Sequence, residues 1–169
     1  MRPRPLVLLV LLAFALVPAA AQAKSYTITN LLGSKLGKLT ASTPLDVLLP
    51  QSLPLDYDGR VYASVSGGRS SWSASFGGAP NCGANACFLA DITARKGAKH
   101  FNRHPVKLRG GVAGFFNPTS CGGSCAPPSI EFKVDNVLYE IQARVAQKGK
   151  TERQLLVEAA NSALAHGPR

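Results

Sequence analysis

Between Val61 and Phe76 a period-two alternation folds back on itself, and this pattern constrains the chain more than any other stretch. Val61, Ala63 and Val65 alternate with Tyr62, Ser64 and Ser66, as in a strand with one buried face. Gly67-Gly68-Arg69-Ser70 reads as a four-residue turn, after which Trp72, Ala74 and Phe76 alternate with Ser71, Ser73 and Ser75. Folded there, Val65 is expected opposite Trp72, Ala63 opposite Ala74 and Val61 opposite Phe76. Every apolar residue then falls on one face. Such a hairpin needs a sheet around it and a cover over its apolar side.

A second hairpin is expected over Ser129–Val145. Ile130, Phe132 and Val134 face one way, and Val137, Tyr139 and Ile141 return on the same side of Asp135-Asn136, two residues that tolerate left-handed backbone. This register sets Glu131 opposite Glu140, a like-charge pair that the diagonal Lys133 alone is placed to relieve. Cys87–Ile92 reads as a third strand, Val106–Leu108 as a fourth, and Val112–Phe116 continues the sheet beyond Gly110-Gly111. Ser25–Leu49 reads as irregular: Tyr26 and Ile28 mark a short strand, and Leu45–Leu49, between prolines, an edge strand or packed loop. Thr151 with Gln154 forms a capping box, and Leu155, Leu156, Ala159, Ala163 and Leu164 make one helical stripe that Gly167 and Pro168 stop. The expected fold is α+β: a mainly antiparallel β-sheet built from hairpins, with a C-terminal α-helix packed on one face.

Residues 1–23 read as a signal peptide. Arg2 and Arg4 precede the apolar run Leu6–Val17, Pro18 breaks it, and Ala21 and Ala23 supply the small residues of a cleavage site. That run is shorter than the roughly 20 residues a membrane-spanning helix needs. No cysteine stands at the cleavage site to carry a lipid. Residues 24–169 are then expected as one β-rich domain, exported to the periplasm or beyond, with no transmembrane segment. The whole chain has 19 Lys plus Arg against 9 Asp plus Glu, and loss of Arg2 and Arg4 takes its charge from +10 to +8.

Four cysteines behind a signal peptide are read first as disulfides. Cys82 with Cys87 and Cys121 with Cys125 would form local rings over Gly-rich interiors; a crossed bond such as Cys82 to Cys121 would close a longer loop. A four-thiolate zinc site is the rival, against which the spacings and the oxidising compartment both speak.

The segments NCGANACFLADI, VKLRGGVAGFFNPTSCGGSCAPPSIEF, NVLYEIQARV and LLVEAANSAL occur in this order. Together with Leu49-Pro50-Gln51-Ser52-Leu53-Pro54, Phe132, Tyr139 and Ala160-Asn161-Ser162, they resemble a group of uncharacterised exported bacterial proteins. The resemblance covers roughly Leu45 to Ala165. It implies export and a β-rich body with a terminal helix, and it transfers no activity. A sheet with a terminal helix is also similar to lipoprotein-carrier half-barrels, at the level of fold alone.

Arg95–Arg109 concentrates six cations, Arg95, Lys96, Lys99, Arg103, Lys107 and Arg109, with two histidines and no acid. An exposed basic loop here would attract anionic envelope lipid or polymer, with a strength that falls as salt rises. The plainer reading is a solvated loop. Export disfavours nucleic acid, and Phe101 alone is no stacking platform. His100 and His104 have metal-ligand spacing, but Gly97 and Pro105 oppose a helix, so two surface histidines are expected. Asp56 and Asp58 before Gly59 read as a turn. The motifs of serine hydrolases and zinc proteases are missing from the sequence, and no cofactor is implied. The leading expectation is a non-enzymatic cell-envelope binding or structural protein; the alternative is a small exported hydrolase with a dispersed site. A large apolar cavity between sheet and helix would favour the first, and a histidine held by a carboxylate near an exposed Ser or Cys the second.

Overall fold

The structure is a computed structural model that describes residues 24–83, 85–100 and 104–169. The signal segment and Arg103 lie outside the described residues. In chain order the elements are β1 (Lys24–Thr27), α1 (Ile28–Leu32), α2 (Lys35–Ser42), β2 (Ser52–Leu55), β3 (Tyr62–Gly67), β4 (Ser71–Gly77) and β5 (Phe88–Lys96). Then follow β6 (His104–Lys107), β7 (Ala113–Asn117), β8 (Ser120–Cys121), β9 (Cys125–Ala126), β10 (Ser129–Val134), β11 (Val137–Ala143) and α3 (Glu152–His166).

Seven strands form the main sheet in the order β3-β4-β5-β11-β10-β7-β6, and the small ladders β1-β2 and β8-β9 stand apart from it. Neighbours in the main sheet are antiparallel throughout. Alternation along each strand turns the register into rows. One row joins Trp72, Ala94, Tyr139, Phe132 and Gly114, and the next joins Ala74, Ile92, Ile141, Ile130 and Phe116. All ten of these residues are buried. The rows form the inner face of an α+β fold, as the alternation predicts.

The cover differs from expectation on its N-terminal side. Instead of irregular chain, Ile28–Leu32 and Lys35–Ser42 are helices that pack on β3. Ile28, Leu32 and Leu39 are buried and Leu36 is half-buried, a near-helical spacing that the glycines at 33 and 37 obscure. Tertiary burial, not propensity, holds these short helices. The Leu45–Leu49 segment is a packed loop with Val47, Leu48 and Leu49 buried. One carbonyl anchors it: the oxygen of Asp46 accepts from both Trp72 Nε1 and Tyr139 Oη, each at 3.1 Å. Burial first, then Asp46 and Asp135, push the Tyr139 hydroxyl up to about 12, so it stays a donor.

The hairpin of β10 and β11 has the expected register, with Val134 opposite Val137, Phe132 opposite Tyr139 and a turn at Asp135 and Asn136, both at positive φ. The hairpin of β3 and β4 keeps its faces but is shifted. Gly67 lies opposite Trp72, Val65 opposite Ala74 and Ala63 opposite Phe76, and the Gly68 amide donates to the Ser71 carbonyl across a two-residue turn, Arg69-Ser70. A shift of two preserves side-chain parity, so the apolar face survives. Gly67 is the last strand residue, and a side chain there would collide with Ser42 Oγ of α2, which suits the position to glycine.

The terminal helix closes the fold. Thr151 and Gln154 form the capping box, Leu155, Leu156, Ala159 and Ala163 are buried, and Leu164 is half-buried. α3 packs on β10, β11 and β2. The Ala160-Asn161-Ser162 triplet has a structural role. Ala160 is buried, Asn161 Oδ1 accepts from the Arg109 amide at 2.6 Å, and Ser162 Oγ accepts from the Gln51 amide at 3.0 Å.

Candidate functional site

The outer face of the sheet is polar. Across the first five strands one of its rows runs Ser66, Ser73, Thr93, Glu140 and Glu131, and the same row ends on Phe115 and Pro105. The β5 to β6 connection leaves the middle of the sheet and rejoins it at the far edge, with β11, β10 and β7 between. His100 of this connection reaches the outer face. Its ring lies 4.4 Å from that of Phe115, and its Nδ1 is 3.5 Å from Glu131 Oε2. That distance is within ion-pair reach, yet Nδ1 makes no hydrogen bond, so the contact is electrostatic and steric in character.

The like-charge pair is thus met by groups other than Lys133. Arg95 Nη2 donates to Glu140 Oε2 at 3.1 Å, and His100 stands beside Glu131. Burial and then Glu131 raise the Glu140 carboxyl above its ordinary range, while Arg95 and a hydrogen bond from Ser129 pull it back. Glu131 itself is only 2% exposed. One part of the basic segment therefore belongs to the framework.

The segment is not one exposed loop, which corrects the sequence reading. Arg95 and Lys96 end β5, Lys107 lies on β6, and Arg109 opens a single 3₁₀ turn. Arg95 is half-buried, whereas Lys96, Lys99, Lys107 and Arg109 are exposed. No ion pair among the described residues involves these four. The two histidines also part company. His104 is exposed on the edge strand, and His100 is only partly exposed over Glu131. Among the described residues no group of three His, Cys, Asp or Glu side chains is placed to hold a metal ion.

Cys82 is bonded to Cys87 and Cys121 to Cys125, which leaves no free cysteine for zinc. The two rings meet, since Asn85 Nδ2 donates to Ser124 Oγ at 3.1 Å. The interior between sheet and α3 is filled by the buried rows. An open cleft of about 500 Å³ lies instead beside β3, with Asp91 and Ser75 in its lining. Asp91 Oδ1 accepts from Ser75 Oγ at 2.8 Å, and burial raises its pKa against that hydrogen bond. Sequence reasoning passed over Asp91, whose signal was an acid placed outward in a strand of apolar and small residues.

Fold and site together define an α+β protein with two disulfides, whose outer sheet face carries Glu140 and Glu131 with Arg95 and His100 beside them. No family model, curated protein or solved structure matches the chain. No helix among the described residues is long and apolar enough to cross a membrane.

Proposed function

We propose that this is an exported, non-enzymatic cell-envelope protein, related to the exported bacterial group it resembles, that holds anionic lipid headgroups through its basic segment. One observation carries the reading. Of the segment's described cations, Arg95 is paired with half-buried Glu140, and Lys96, Lys99, Lys107 and Arg109 stay exposed. Exposed cations, two of them fixed on strands at Lys96 and Lys107, attract phosphate at a lower ordering cost than a wholly irregular loop. The two disulfides suit an oxidising compartment. The test is flotation of the exported protein with phosphatidylglycerol vesicles. Binding should fall steeply between low and high salt, and joint Lys96→Gln, Lys99→Gln and Lys107→Gln substitution should remove most of it. Binding that ignores salt, or that survives the substitutions, overturns the proposal.

A second reading, a small exported hydrolase, draws on the His100 ring beside the Glu131 carboxylate, the pair of groups from which a general base is built. Against it, every described cysteine is in a disulfide, and Ser129 donates to Glu140. Turnover of p-nitrophenyl acetate that disappears in His100→Ala would favour it.

A further inference from the structure

We propose that the cleft beside β3 binds a saccharide bearing an acid group. This site is separate from the basic segment: it lies by the start of β5, at Phe88 and Asp91, whereas Lys96 ends that strand. Its volume of about 500 Å³ falls within the roughly 300–1,000 Å³ of small-molecule sites.

Two adjacent rows of the outer face supply the wall. The first joins Tyr62, Gly77 and Phe88, and the second joins Ser64, Ser75 and Asp91. An aromatic ring thus stands on either side of a glycine, with two hydroxyls and a carboxylate in the next row. Gly77 is required there, because a Cβ on it would come 2.6 Å from Cys82 Cβ. The Cys82–Cys87 ring therefore seats directly on the sheet and forms part of the cleft lining. The bond does more than pin a loop, since it shapes the cavity.

The lining chemistry selects the ligand class. Half-buried Tyr62 and Phe88 offer ring surface to the C–H faces of a sugar, and Ser64, Ser75 and Asp91 offer donors and acceptors to its hydroxyls. A carboxylate has about four acceptor positions, and on Asp91 Ser75 takes one and the Ile92 amide another. Asp91 makes no ion pair among the described residues, although burial disfavours its charge. A half-buried carboxylate that lines an open cleft is a candidate site residue. Two exposed cations, Lys35 and Arg60, also line the cleft, and the Arg60 guanidinium lies 5.1 Å from the Tyr62 ring centre. Two positive groups against one carboxylate favour an acidic substituent over a neutral or amino sugar.

Titration calorimetry with digalacturonate, maltose and citrate tests this on the exported protein. Digalacturonate should bind at least about tenfold more tightly than the other two, the worth of one charge-assisted hydrogen bond. Asp91→Asn and the pair Lys35→Gln with Arg60→Gln should each weaken it by about the same factor. Lys35 and Arg60 are exposed, so the paired variant should fold even where Asp91→Asn does not. Lys96→Gln with Lys99→Gln should leave digalacturonate binding unchanged, which separates this proposal from the vesicle result. No binding at millimolar concentration, equal binding of maltose or citrate, or wild-type affinity in the paired variant overturns it.

Discussion

Glu140 and Glu131 face each other across β11 and β10, and each is approached by a cation or potential cation from elsewhere in the chain, Arg95 and His100. For Glu140 the unfavourable causes dominate: burial, then Glu131, outweigh Arg95 and Ser129, and its pKa is raised above the ordinary 4.5. A raised carboxyl means the folded protein holds its proton to higher pH than the unfolded chain does. Its contribution to stability is therefore greatest in acid and is lost as pH rises through the folded pKa. Glu140→Gln removes that loss. Relative to wild type, the variant should gain stability as pH rises from 4.5 through the raised value, as read from urea midpoints across that range. A constant difference between the two proteins would show that Arg95 fully compensates the charge. The alternation makes the conflict between the two acids visible in the sequence. Its resolution is not visible, because Arg95 stands 45 residues from Glu140 and only the sheet order brings them together.

The terminal helix was legible because its signals are local: a capping pair three residues apart and an apolar stripe at a constant period. Leu156 has no exposed surface and belongs to the main core cluster. Leu156→Ala should then cost about 2–5 kcal/mol, seen as a lower denaturation midpoint, and an unchanged midpoint would mean that α3 does not cover the sheet. The β10-β11 hairpin was equally legible, since Asp135-Asn136 is both the turn and the break in the alternation. In β3-β4 the Gly67-Gly68 pair looks like a turn, but Gly67 is the strand position over which Ser42 of α2 lies, and the sequence did not reveal α2. α1 and α2 escaped because neither has an acidic first turn or a side-chain cap. Burial of Ile28, Leu32 and Leu39 on β3 decides their state, and that is a property of the assembled fold.

Both disulfides span only a few residues, with separations of 5 and 4, and neither joins two strands of the main sheet. Each ring should contribute about 2 kcal/mol by restricting the unfolded chain. Reduction should accordingly lower the unfolding midpoint yet leave the β-sheet circular dichroism signal intact at low denaturant. Loss of that signal on reduction would show that the rings organise the sheet. The long-range order has another origin, in the position of β11. It is the last strand in the chain and the fourth of the seven across the sheet. A polypeptide that emerges N-terminus first therefore has β3-β4-β5 on one side and β10-β7-β6 on the other before the strand that unites them arrives. Until then β5, nine residues long and rich in apolar side chains, has an open edge ready to pair with any passing strand. Made N-terminus first, this chain can complete its sheet only when its last strand arrives, and until then the β5 edge is the surface most open to wrong pairing.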